Sequence, residues 1–495
     1  MKLWIQDYAW ILVVITACSA CSLVSYGTDG VSDEAPERSA MWPSTVLSDV
    51  FPGAEWTWAE SPEALGWSSA KLAETRAYAD SIGTAAVMIV DDGVVVDAWG
   101  DLTRTYHCHS MRKSLLSALY GIGVAEGDID IAQTLGQLGI DEKTPLTDVE
   151  KQATVADLLK ARSGVYIPAA GEAASMVESR PTRHSHAPGT FWYYNNWDFN
   201  ALGTIFDQET GAESIYEAFR ERIAKPIGMQ DYRPDRLRYS YVHYSLHPYY
   251  GFDMSTRDLA RFGLLFLREG RWNRHRILSP DWVRESTAAH SQIGPNSGYG
   301  YMWWTGEATG LFPNVTVAGY GYYASGYRGH LVVILPHRNL VIVHRVDTFR
   351  SGDEVTNGEF GVLLWRILDA AGETDVGEPP FIDMAPGVRL TGGDLRSLIP
   401  GSTLTAVGGG SEAVVVSDPE GGLLIYMQGA LALTGSWWID GDRYCVDVPA
   451  AEDIGGCFDV VLDGLDLRLY EPDGTLSIRF TIGADAPPTD RSVRR

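Results

Sequence analysis

The segment SMRKSLLSALYGI, residues 110–122, predicts the helix around which the rest of the chain is organised. Its apolar residues recur at helical spacing, so one face of the helix should be buried: Leu115, Leu116, Ala118, Leu119 and Ile122. Ser110 and Lys113 lie one turn apart at its start, where the amine can reach the hydroxyl. In a partly dry pocket the amine would lose its proton near neutral pH and serve as a base. The N-terminus of the helix would stabilise an oxyanion formed beside Ser110.

A second S-x-x-K pattern occurs at Ser68-Ser69-Ala70-Lys71, so the pattern alone is a weak signal. At this place it is typical of a helix cap followed by a solvated lysine, and a helix is predicted over 69–82 with Ser68 or Ser69 as its cap. Only Ser110 follows soon after two strands that should be buried, 85–90 and 94–98, which are joined by the turn Asp91-Asp92-Gly93. This context makes Ser110 the candidate nucleophile.

The 495-residue chain is acidic, with 64 Asp and Glu residues against 39 Lys and Arg residues and a formal net charge of −25. Such a charge repels phosphate backbones, and no basic run offsets it, which excludes nucleic-acid binding. No apolar run reaches the roughly 20 residues of a membrane-spanning helix, which excludes a polytopic membrane protein. The length and the apolar content of 45% predict a globular chain with about two to four domains.

The first 21 residues predict a lipoprotein-type signal peptide. Lys2 supplies the positive end, and residues 9–17 form an apolar stretch that is too short to span a bilayer. Ile15-Thr16-Ala17-Cys18 is typical of a bacterial lipobox, in which Cys18 becomes the lipidated first residue; an ordinary cleaved signal is the alternative, and Cys21 is a second acceptor. Residues 22–40 would form a flexible tether. We therefore expect an exported bacterial protein, periplasmic or anchored to the membrane only through a lipid on Cys18.

Residues 41–372 predict the main domain, and residues 373–387, rich in Pro, Gly and acidic side chains, predict a linker. Several helical patterns occupy 150–290 of the main domain. Strands are then predicted at 315–323, 329–335 and 340–343, and an amphipathic helix at 360–371 closes the domain.

Residues 388–485 have a different character, because short apolar runs alternate with turn pairs such as Asp440-Gly441 and Asp463-Gly464. This pattern predicts a small all-β domain, either a small barrel or a curved sheet. Since export places cysteines in an oxidising compartment, Cys445 and Cys457, on or beside two strand-like runs, should pair across a hairpin. Cys108 is left over, as a buried thiol near Ser110.

Further motifs occur in a defined order along the main domain. They are Ser110-Met111-Arg112-Lys113-Ser114; Ala153 to Leu159 with Ser163-Gly164-Val165; Pro188-Gly189-Thr190 with Tyr194-Asn195-Asn196 and Leu202-Gly203; Pro226 to Met229; Ser255 to Gly263; and Tyr299 to Trp304. In this order they resemble the class C β-lactamase-related serine hydrolases, which include β-lactamase-like esterases, 6-aminohexanoate-dimer hydrolases and D-alanyl-D-alanine carboxypeptidases. The resemblance covers about residues 60–372.

The resemblance implies an α/β (α+β) fold, with an antiparallel sheet flanked by helices and an all-helical lobe, followed here by the small β domain. It implies that Ser110 attacks a carbonyl and forms an acyl-enzyme, with its own N–H as half of the oxyanion hole. Tyr194 and Lys113 would share the proton as a coupled pair, and Asn196 would orient the Lys113 amine and the substrate. Tyr193 is a competing match, but the spacing of the flanking motifs favours Tyr194. No cofactor is implied.

The third motif departs from the family pattern. The family has Lys-Thr-Gly or His-x-Gly on the strand at the edge of the site, whereas this chain has Ala324-Ser325-Gly326, followed by Tyr327. The cation at the first position is missing, which argues against recognition of β-lactams and D-Ala-D-Ala unless Arg328 or His330 replaces it. Ser325 and Gly326 are therefore the candidate substrate strand, and Tyr327 is the candidate second oxyanion donor.

The leading hypothesis is a serine hydrolase of the S-x-x-K type that acts on a small-molecule ester or amide. A D,D-peptidase or β-lactamase-type enzyme, and an inactive binding protein on the same fold, are alternatives. A third alternative is a metal site built from four histidines: His107, His109, His184 and His186. The spacing of these histidines matches no recognised ligand set, so we predict no metal. Aromatic residues near the motifs either line an acyl pocket or pack in the core: Trp192, Tyr193, Trp197, Trp303, Trp304, Tyr322 and Tyr323.

Overall fold

The computed structural model describes residues 48–373 apart from 314 and 350–353, residue 376, and, with short gaps, 388–482. These residues form two compact units, one before and one after residue 380. The predicted signal peptide (1–21), the tether (22–40) and most of the linker (373–387) lie outside the described residues. Among the described helices, none is both long and apolar enough to cross a membrane.

The first unit is built on an eight-stranded antiparallel sheet. In chain order its strands are β1 (Thr84–Asp91), β2 (Val94–Gly100), β3 (Ser291–Gly294), β4 (Ser297–Tyr299), β5 (Trp304–Ala308), β6 (Val317–Gly326), β7 (His330–Leu335) and β8 (Leu340–Val346). Their order in the sheet is β2-β1-β8-β7-β6-β5-β4-β3. The first strand of the unit therefore pairs with its last one, so that the helical lobe is inserted between the two halves of the sheet.

The β1–β2 hairpin confirms the predicted strands and turn. Asp92 and Gly93 have φ angles of +48° and +86°. A left-handed backbone at two successive positions is what a two-residue hairpin turn requires, and glycine adopts it without steric cost. Asp91, which the sequence placed in the turn, is the last residue of β1.

Nine α-helices lie among the described residues. They are α1 (Ser69–Ser81), α2 (Arg112–Glu126), α3 (Val155–Leu159), α4 (Ala174–Glu178), α5 (Asn196–Thr210), α6 (Ile215–Phe219), α7 (Thr256–Leu267), α8 (Pro280–Ser286) and α9 (Asn357–Ala370). Short 3-10 turns add to them at Pro62–Leu65, His109–Met111, Glu150–Gln152, Pro234–Arg236 and Pro336–Arg338, and a π turn at Arg220–Ala224. Two-residue or three-residue strand pairs join Thr105–His107 to Asp253–Ser255, Tyr239–Ser240 to Tyr249–Tyr250, and Arg271–Trp272 to His275–Arg276.

Helices cover both faces of the large sheet. Successive residues of a strand point to opposite faces, so a strand that is covered on both sides is apolar throughout. Along β1, Val87 and Ile89 belong to the core beneath α1 and α9. Met88 and Val90 belong to the other core, which includes α7 and the helical lobe. This arrangement confirms the predicted fold class.

The central helix begins and ends later than predicted. Residues His109–Met111 form a 3-10 turn, so α2 begins at Arg112 and Ser110 lies in the turn before it. The helix continues past Ile122 to Glu126, where Gly127, with a φ of +81°, forms the C-cap. The predicted apolar face is buried in the core, as expected from its spacing.

The second S-x-x-K pattern is a helix cap, as predicted. Ser68 Oγ accepts a hydrogen bond of 3.3 Å from Lys71 N at the start of α1. The Lys71 side chain is 46% exposed and forms an ion pair of 2.7 Å with Asp369. Its amine therefore lies in solvent beside a carboxylate, as expected of a solvated lysine.

The second unit is a β-barrel, one of the two predicted alternatives. A short strand, β9 (Val388–Arg389), precedes β10 (Thr403–Ala406), β11 (Ala413–Ser417), β12 (Gly422–Met427), β13 (Ala430–Asp440), β14 (Arg443–Asp447), β15 (Gly455–Asp463), β16 (Asp466–Tyr470) and β17 (Leu476–Ile482). Each strand from β10 to β17 pairs with the next, and β17 pairs with β10, which closes eight strands into a barrel. Cys445 and Cys457 face each other on β14 and β15 and form the predicted disulfide.

Candidate active site

Ser110 lies in a backbone turn of unusual conformation between the strand Thr105–His107 and α2. His109, the residue before it, has a φ of +46°, a region that non-glycine residues rarely adopt. Two contacts hold this turn: Met111 N donates a 3.0 Å hydrogen bond to Cys108 O, and His109 Nε2 lies 3.0 Å from Thr348 Oγ1. A strained backbone conformation of this kind persists where surrounding contacts hold it in place, and such conformations are concentrated at functional sites.

The Lys113 amine joins Ser110 to Tyr194. Lys113 Nζ lies 2.8 Å from Ser110 Oγ and 2.6 Å from Tyr194 Oη, both within hydrogen-bond distance. The lysine is 1% exposed, whereas Ser110 and Tyr194 are half-buried. Residues 81 positions apart in the chain are thus brought into one hydrogen-bonded cluster. The arrangement places a hydroxyl, an amine and a phenol where one proton can pass among them.

Burial decides the protonation of this cluster. Burial, together with the positive charge of Arg112, holds the pKa of the Lys113 amine well below its usual range. Burial raises the pKa of Tyr194 to about 12, although its contact with Ser110 acts in the opposite direction. The lowered pKa favours the neutral form of the amine, which can accept a proton, and the raised pKa favours a phenol that keeps its proton.

A buried polar network positions the loop that ends at Tyr194. Asn195, the N-cap of α5, donates hydrogen bonds of 2.7 Å to Val165 O and 2.8 Å to Asp198 Oδ1. Ser163 Oγ donates a 2.5 Å hydrogen bond to the same Asp198 oxygen. These contacts connect the loop of Tyr194 to the segment 163–165, which the sequence analysis had singled out as a motif.

Asn196 is buried at the start of α5, but it makes different contacts from those expected. Its Nδ2 donates a 2.6 Å hydrogen bond to Gly171 O, and its Oδ1 is buried without a partner among the described residues. None of the hydrogen bonds of the described residues joins Asn196 to Lys113. Its role in orienting the amine therefore stays a prediction.

The candidate substrate strand lies alongside the turn of Ser110. β6 continues past the predicted end at residue 323 to Gly326, so Ser325 and Gly326 are strand residues. A Cβ added to Gly326 would lie 2.5 Å from Cys108 O, so only glycine allows the strand to approach this closely. The Tyr327 ring, 54% exposed, meets the His109 ring edge-on with centroids 5.8 Å apart.

Neither of the two side chains considered as a replacement for the missing strand cation is a free positive charge. Arg328 Nε lies 3.8 Å from a carboxylate oxygen of Glu354. His330 is fully buried and its Nδ1 accepts a 3.0 Å hydrogen bond from Arg345 Nε. Burial and the charge of Arg345 hold the pKa of His330 well below its usual range, so this imidazole is neutral.

The four histidines considered as metal ligands have other contacts. His107 Nδ1 lies 2.8 Å from Asp253 Oδ1 and its Nε2 lies 3.0 Å from Tyr249 Oη. His184 Nδ1 lies 3.6 Å from Glu150, and the His186 ring stacks on Phe191. Within the described part of the chain, no group of three or more His, Cys, Asp or Glu side chains could hold a metal ion.

The aromatic residues near the site divide into two groups. Trp197, Trp303 and Tyr322 are completely buried and belong to the core, and Tyr193 donates a hydrogen bond of 2.5 Å to Met176 O. The others form an aromatic wall beside the Tyr194 ring. Trp304 lies 5.3 Å from that ring between centroids, and it also contacts Trp192 at 6.1 Å and Tyr323 at 6.3 Å.

Sequence reasoning missed one charged residue of the site, Arg112. Arg112 directly precedes Lys113, and its side chain is completely buried against the rings of Tyr249 and Tyr250. Arginine directly before lysine in an otherwise apolar helix was the available signal. The two tyrosines could not be found in this way, because 136 or more residues separate them from Arg112 and no motif includes them.

A family model described as Beta-lactamase matches residues 70–360, more than half of the chain. Similar solved structures include a penicillin-binding protein homologue from Pyrococcus abyssi, with a TM-score of 0.48, 14% sequence identity and coverage of 84% of this chain and 99% of that chain. A penicillin binding protein from Bacillus halodurans has a TM-score of 0.44 at 14% identity, over 60% of this chain and 99% of that chain. A class C beta-lactamase has a TM-score of 0.45 at 13% identity, over 60% of this chain and 94% of that chain. None of the curated proteins compared matches the chain.

Proposed function

The chain belongs to the beta-lactamase family, and on that premise we propose that it is a serine hydrolase that cleaves an ester or an amide through an acyl-enzyme on Ser110. Family membership supports a serine hydrolase or acyl-transferase kind of function. The observation that carries the finer proposal is the position of Lys113 Nζ, within hydrogen-bond distance of both Ser110 Oγ and Tyr194 Oη.

In the proposed acylation step, Ser110 Oγ attacks the carbonyl carbon of the substrate while its proton passes to Lys113 Nζ. A neutral amine 2.8 Å from the hydroxyl is suited to this task, because it has a free electron pair and, within the described part of the chain, no competing carboxylate partner. The Tyr194 phenol, protonated and 2.6 Å from the same amine, protonates the departing alkoxide or amine and recovers its proton from Lys113. The products are an acyl-enzyme and a free alcohol or amine.

In the proposed deacylation step, water attacks the ester carbonyl of the acyl-enzyme and gives up a proton to the Lys113–Tyr194 pair. The Ser110 oxygen leaves and is reprotonated by that pair, which releases the carboxylic acid and restores the serine. The N–H groups of Ser110 and Tyr327 are the proposed oxyanion donors, and each such donor contributes roughly 3 kcal/mol. The contact of Gly326 with Cys108 and that of the Tyr327 ring with His109 support this pairing.

The proposed substrate is a small, neutral ester or amide with an apolar acyl group. Arg328 is paired with Glu354 and His330 is neutral, so neither is available to hold a substrate carboxylate. The aromatic wall of Trp192, Trp304 and Tyr323 offers apolar surface instead. Both observations favour such a substrate over a β-lactam or a D-Ala-D-Ala peptide.

We also propose that the protein acts outside the cytoplasm. The Cys445–Cys457 disulfide supports this proposal, because disulfides form and persist in oxidising compartments. Lipidation at Cys18 is tested by labelling cells with a radioactive fatty acid. We expect Cys18→Ser to abolish incorporation and Cys21→Ser to leave it unchanged; the reverse result would contradict the assignment.

Intact-mass analysis tests the proposed function directly. The full-length protein is exposed separately to a panel of small esters, a nylon-type amide dimer and a penicillin. We expect an acyl adduct with at least one neutral ester or amide and none with the penicillin. A stable adduct with penicillin alone would instead support a penicillin-recognising enzyme, and complete absence of adducts and turnover would support an inactive binding protein.

A further inference from the structure

Arg112, which directly precedes Lys113 in the chain, is a buried arginine without a carboxylate partner among the described residues. The Arg112 side chain is 0% exposed, and its guanidinium carbon lies 4.3 Å from the ring centroid of Tyr249 and 4.1 Å from that of Tyr250. Its Nη2 donates a 2.8 Å hydrogen bond to Asn200 Oδ1. Its Nε and Nη1 are buried and have no hydrogen-bond partner in the described part of the chain.

Such an environment is unusual for a charged side chain. Buried arginines are ordinarily paired with carboxylates, which neutralise their charge. Here the partners are two aromatic faces, which attract a cation without removing its charge, and one neutral amide. An arginine stays protonated even when it is buried. The site therefore holds a positive charge that is not cancelled locally.

Among the described residues, no carboxylate contacts Arg112 or Lys113 directly. Besides Tyr249 and Tyr250, the phenols of Tyr194, Tyr216 and Tyr299 interact with Arg112, and burial raises the pKa of each, so all of them are neutral near pH 7. From α5, Asn196 and Asn200 are neutral amides, and Asp198 is engaged by Ser163 and Asn195. Asp253 is hydrogen-bonded to His107, whose other ring nitrogen contacts the Tyr249 hydroxyl.

We propose that Arg112 is a positioning residue of the reaction, whose buried and unneutralised guanidinium keeps the adjacent Lys113 amine unprotonated and ready to accept the Ser110 proton. This inference rests on the proposed function of Ser110. Two like charges in a low-dielectric site repel each other strongly, and the one that can lose its proton does so. Arg112 cannot lose its proton, so the amine does.

The test uses a fluorophosphonate probe, which reacts with an activated serine, on the full-length protein. Its labelling rate is measured from pH 4 to pH 10, and the acid limb of the profile reports deprotonation of Lys113. We expect Arg112→Met to move the midpoint of this limb up by about one pH unit, so that labelling on the acid side slows about tenfold while the high-pH plateau is kept.

Two further variants separate electrostatics from structure. Arg261→Met removes another completely buried arginine, which lies over Trp56 and is not among the charges that act on Lys113. We expect it to lower stability and leave the acid limb in place. Asn200→Asp keeps Arg112 and places a carboxylate on its Nη2, so it should move the limb in the same direction as Arg112→Met. This second route remains available if Arg112→Met does not fold.

An acid limb that is unchanged in both Arg112→Met and Asn200→Asp would overturn the proposal. If the native protein is not labelled at any pH, the proposed function fails first, and the role of Arg112 is then decided by NMR titration of ¹³C-labelled lysine. The chain has seven lysines, so the Lys113 signal can be assigned from its loss in Lys113→Arg. An equal midpoint of that signal in native protein and Arg112→Met would refute the inference independently.

Discussion

The amine of Lys113 is buried among the Ser110 hydroxyl, the Tyr194 phenol and the Phe199 ring. Its Nζ lies 4.1 Å from the Tyr194 ring centroid and 4.6 Å from that of Phe199. None of these groups carries a negative charge that would stabilise an ammonium ion. The environment therefore favours reactivity at the expense of stability, a compromise that is common at active sites.

Replacing Lys113 by methionine should stabilise the protein at neutral pH. The Lys113 pKa is lower in the folded protein than in the unfolded chain, so between these two values the unfolded chain binds the extra proton. The free energy of unfolding therefore rises with pH across that window. At pH 7 the contribution of Lys113 to this free energy is unfavourable. We expect Lys113→Met to raise the free energy of unfolding by about 1 kcal/mol at pH 7 and to make it less dependent on pH. Urea unfolding at several pH values checks the result, with the exposed Lys71→Met as control; a loss of stability at pH 7 would contradict it.

Ser110→Ala should abolish fluorophosphonate labelling, because the probe forms its bond with the nucleophilic oxygen. Ser68→Ala is the matched control, since Ser68 begins the second S-x-x-K pattern and only caps α1. We expect it to keep full labelling and to cost about 1 kcal/mol of unfolding free energy. Labelling that survives in Ser110→Ala would show that another residue is the nucleophile.

Tyr194→Phe should reduce labelling and ester turnover by about 10²–10⁴-fold, because it removes the only phenol bonded to the Lys113 amine in the described residues. Tyr193→Phe is its control, since that hydroxyl donates to Met176 O instead. Steady-state kinetics on the best ester of the panel measure both variants. Equal activity of the two variants would mean that Tyr194 moves no proton.

At the scale of elements, the turn His109–Met111 and the end of β6 must be held side by side. The close approach of Gly326 to Cys108 sets their separation, and the His109 ring contacts both Tyr327 and His330, with the latter centroid 5.2 Å away. No covalent link fixes the distance between the proposed nucleophile, Ser110 on the turn, and the proposed oxyanion donor, Tyr327 directly after the strand. Packing between the two elements therefore determines the geometry of the proposed reaction.

Gly326→Ala should impair the site more than the fold. The added methyl group would lie 2.5 Å from Cys108 O and 3.0 Å from His330 Cβ, so the strand must move away from the turn. A displacement of about 1 Å can cost about 10²-fold in rate, and we expect a loss of that size in fluorophosphonate labelling. Gly53→Ala, where nothing lies within 4 Å, should be silent. A normal labelling rate in Gly326→Ala would argue against a role of β6 in the oxyanion site.

At the scale of the whole molecule, the two units have separate cores. The apolar core of the barrel consists of residues from 395 to 469, whereas the two cores of the first unit end at Val376. The barrel also has a disulfide, between Cys445 and Cys457 on adjacent strands. Each unit is therefore stabilised by its own apolar core, and the barrel is also stabilised by the disulfide.

Removal of the disulfide should destabilise the barrel alone. A cross-link that closes a loop of this length contributes about 3 kcal/mol through the entropy of the unfolded chain. We expect Cys445→Ser combined with Cys457→Ser to lower one calorimetric transition and to leave Ser110 labelling unchanged. Loss of labelling in parallel with that transition would show that the first unit depends on the barrel.

Many helices and strands of this protein can be predicted from the local sequence. Helical spacing in 110–122 predicted the buried face of α2, and Asp92-Gly93 predicted the hairpin, because each depends on neighbours in the chain. The boundaries were less accurate: α2 begins at Arg112, and β6 reaches Gly326. Tertiary contacts decide such ends, since the turn of Ser110 is held by residues as distant as Thr348.

The sequence by itself determined the proposed chemical groups, because the order of its motifs predicts Ser110, Lys113 and Tyr194. Only the tertiary structure decided their distances, the contacts of Asn196 and the presence of Arg112 between two tyrosine rings. Burial and the surrounding charge also belong to the folded state, and they lower the Lys113 pKa. The physical reason is that a side chain's type is local, whereas its dielectric environment is created by residues from the whole fold.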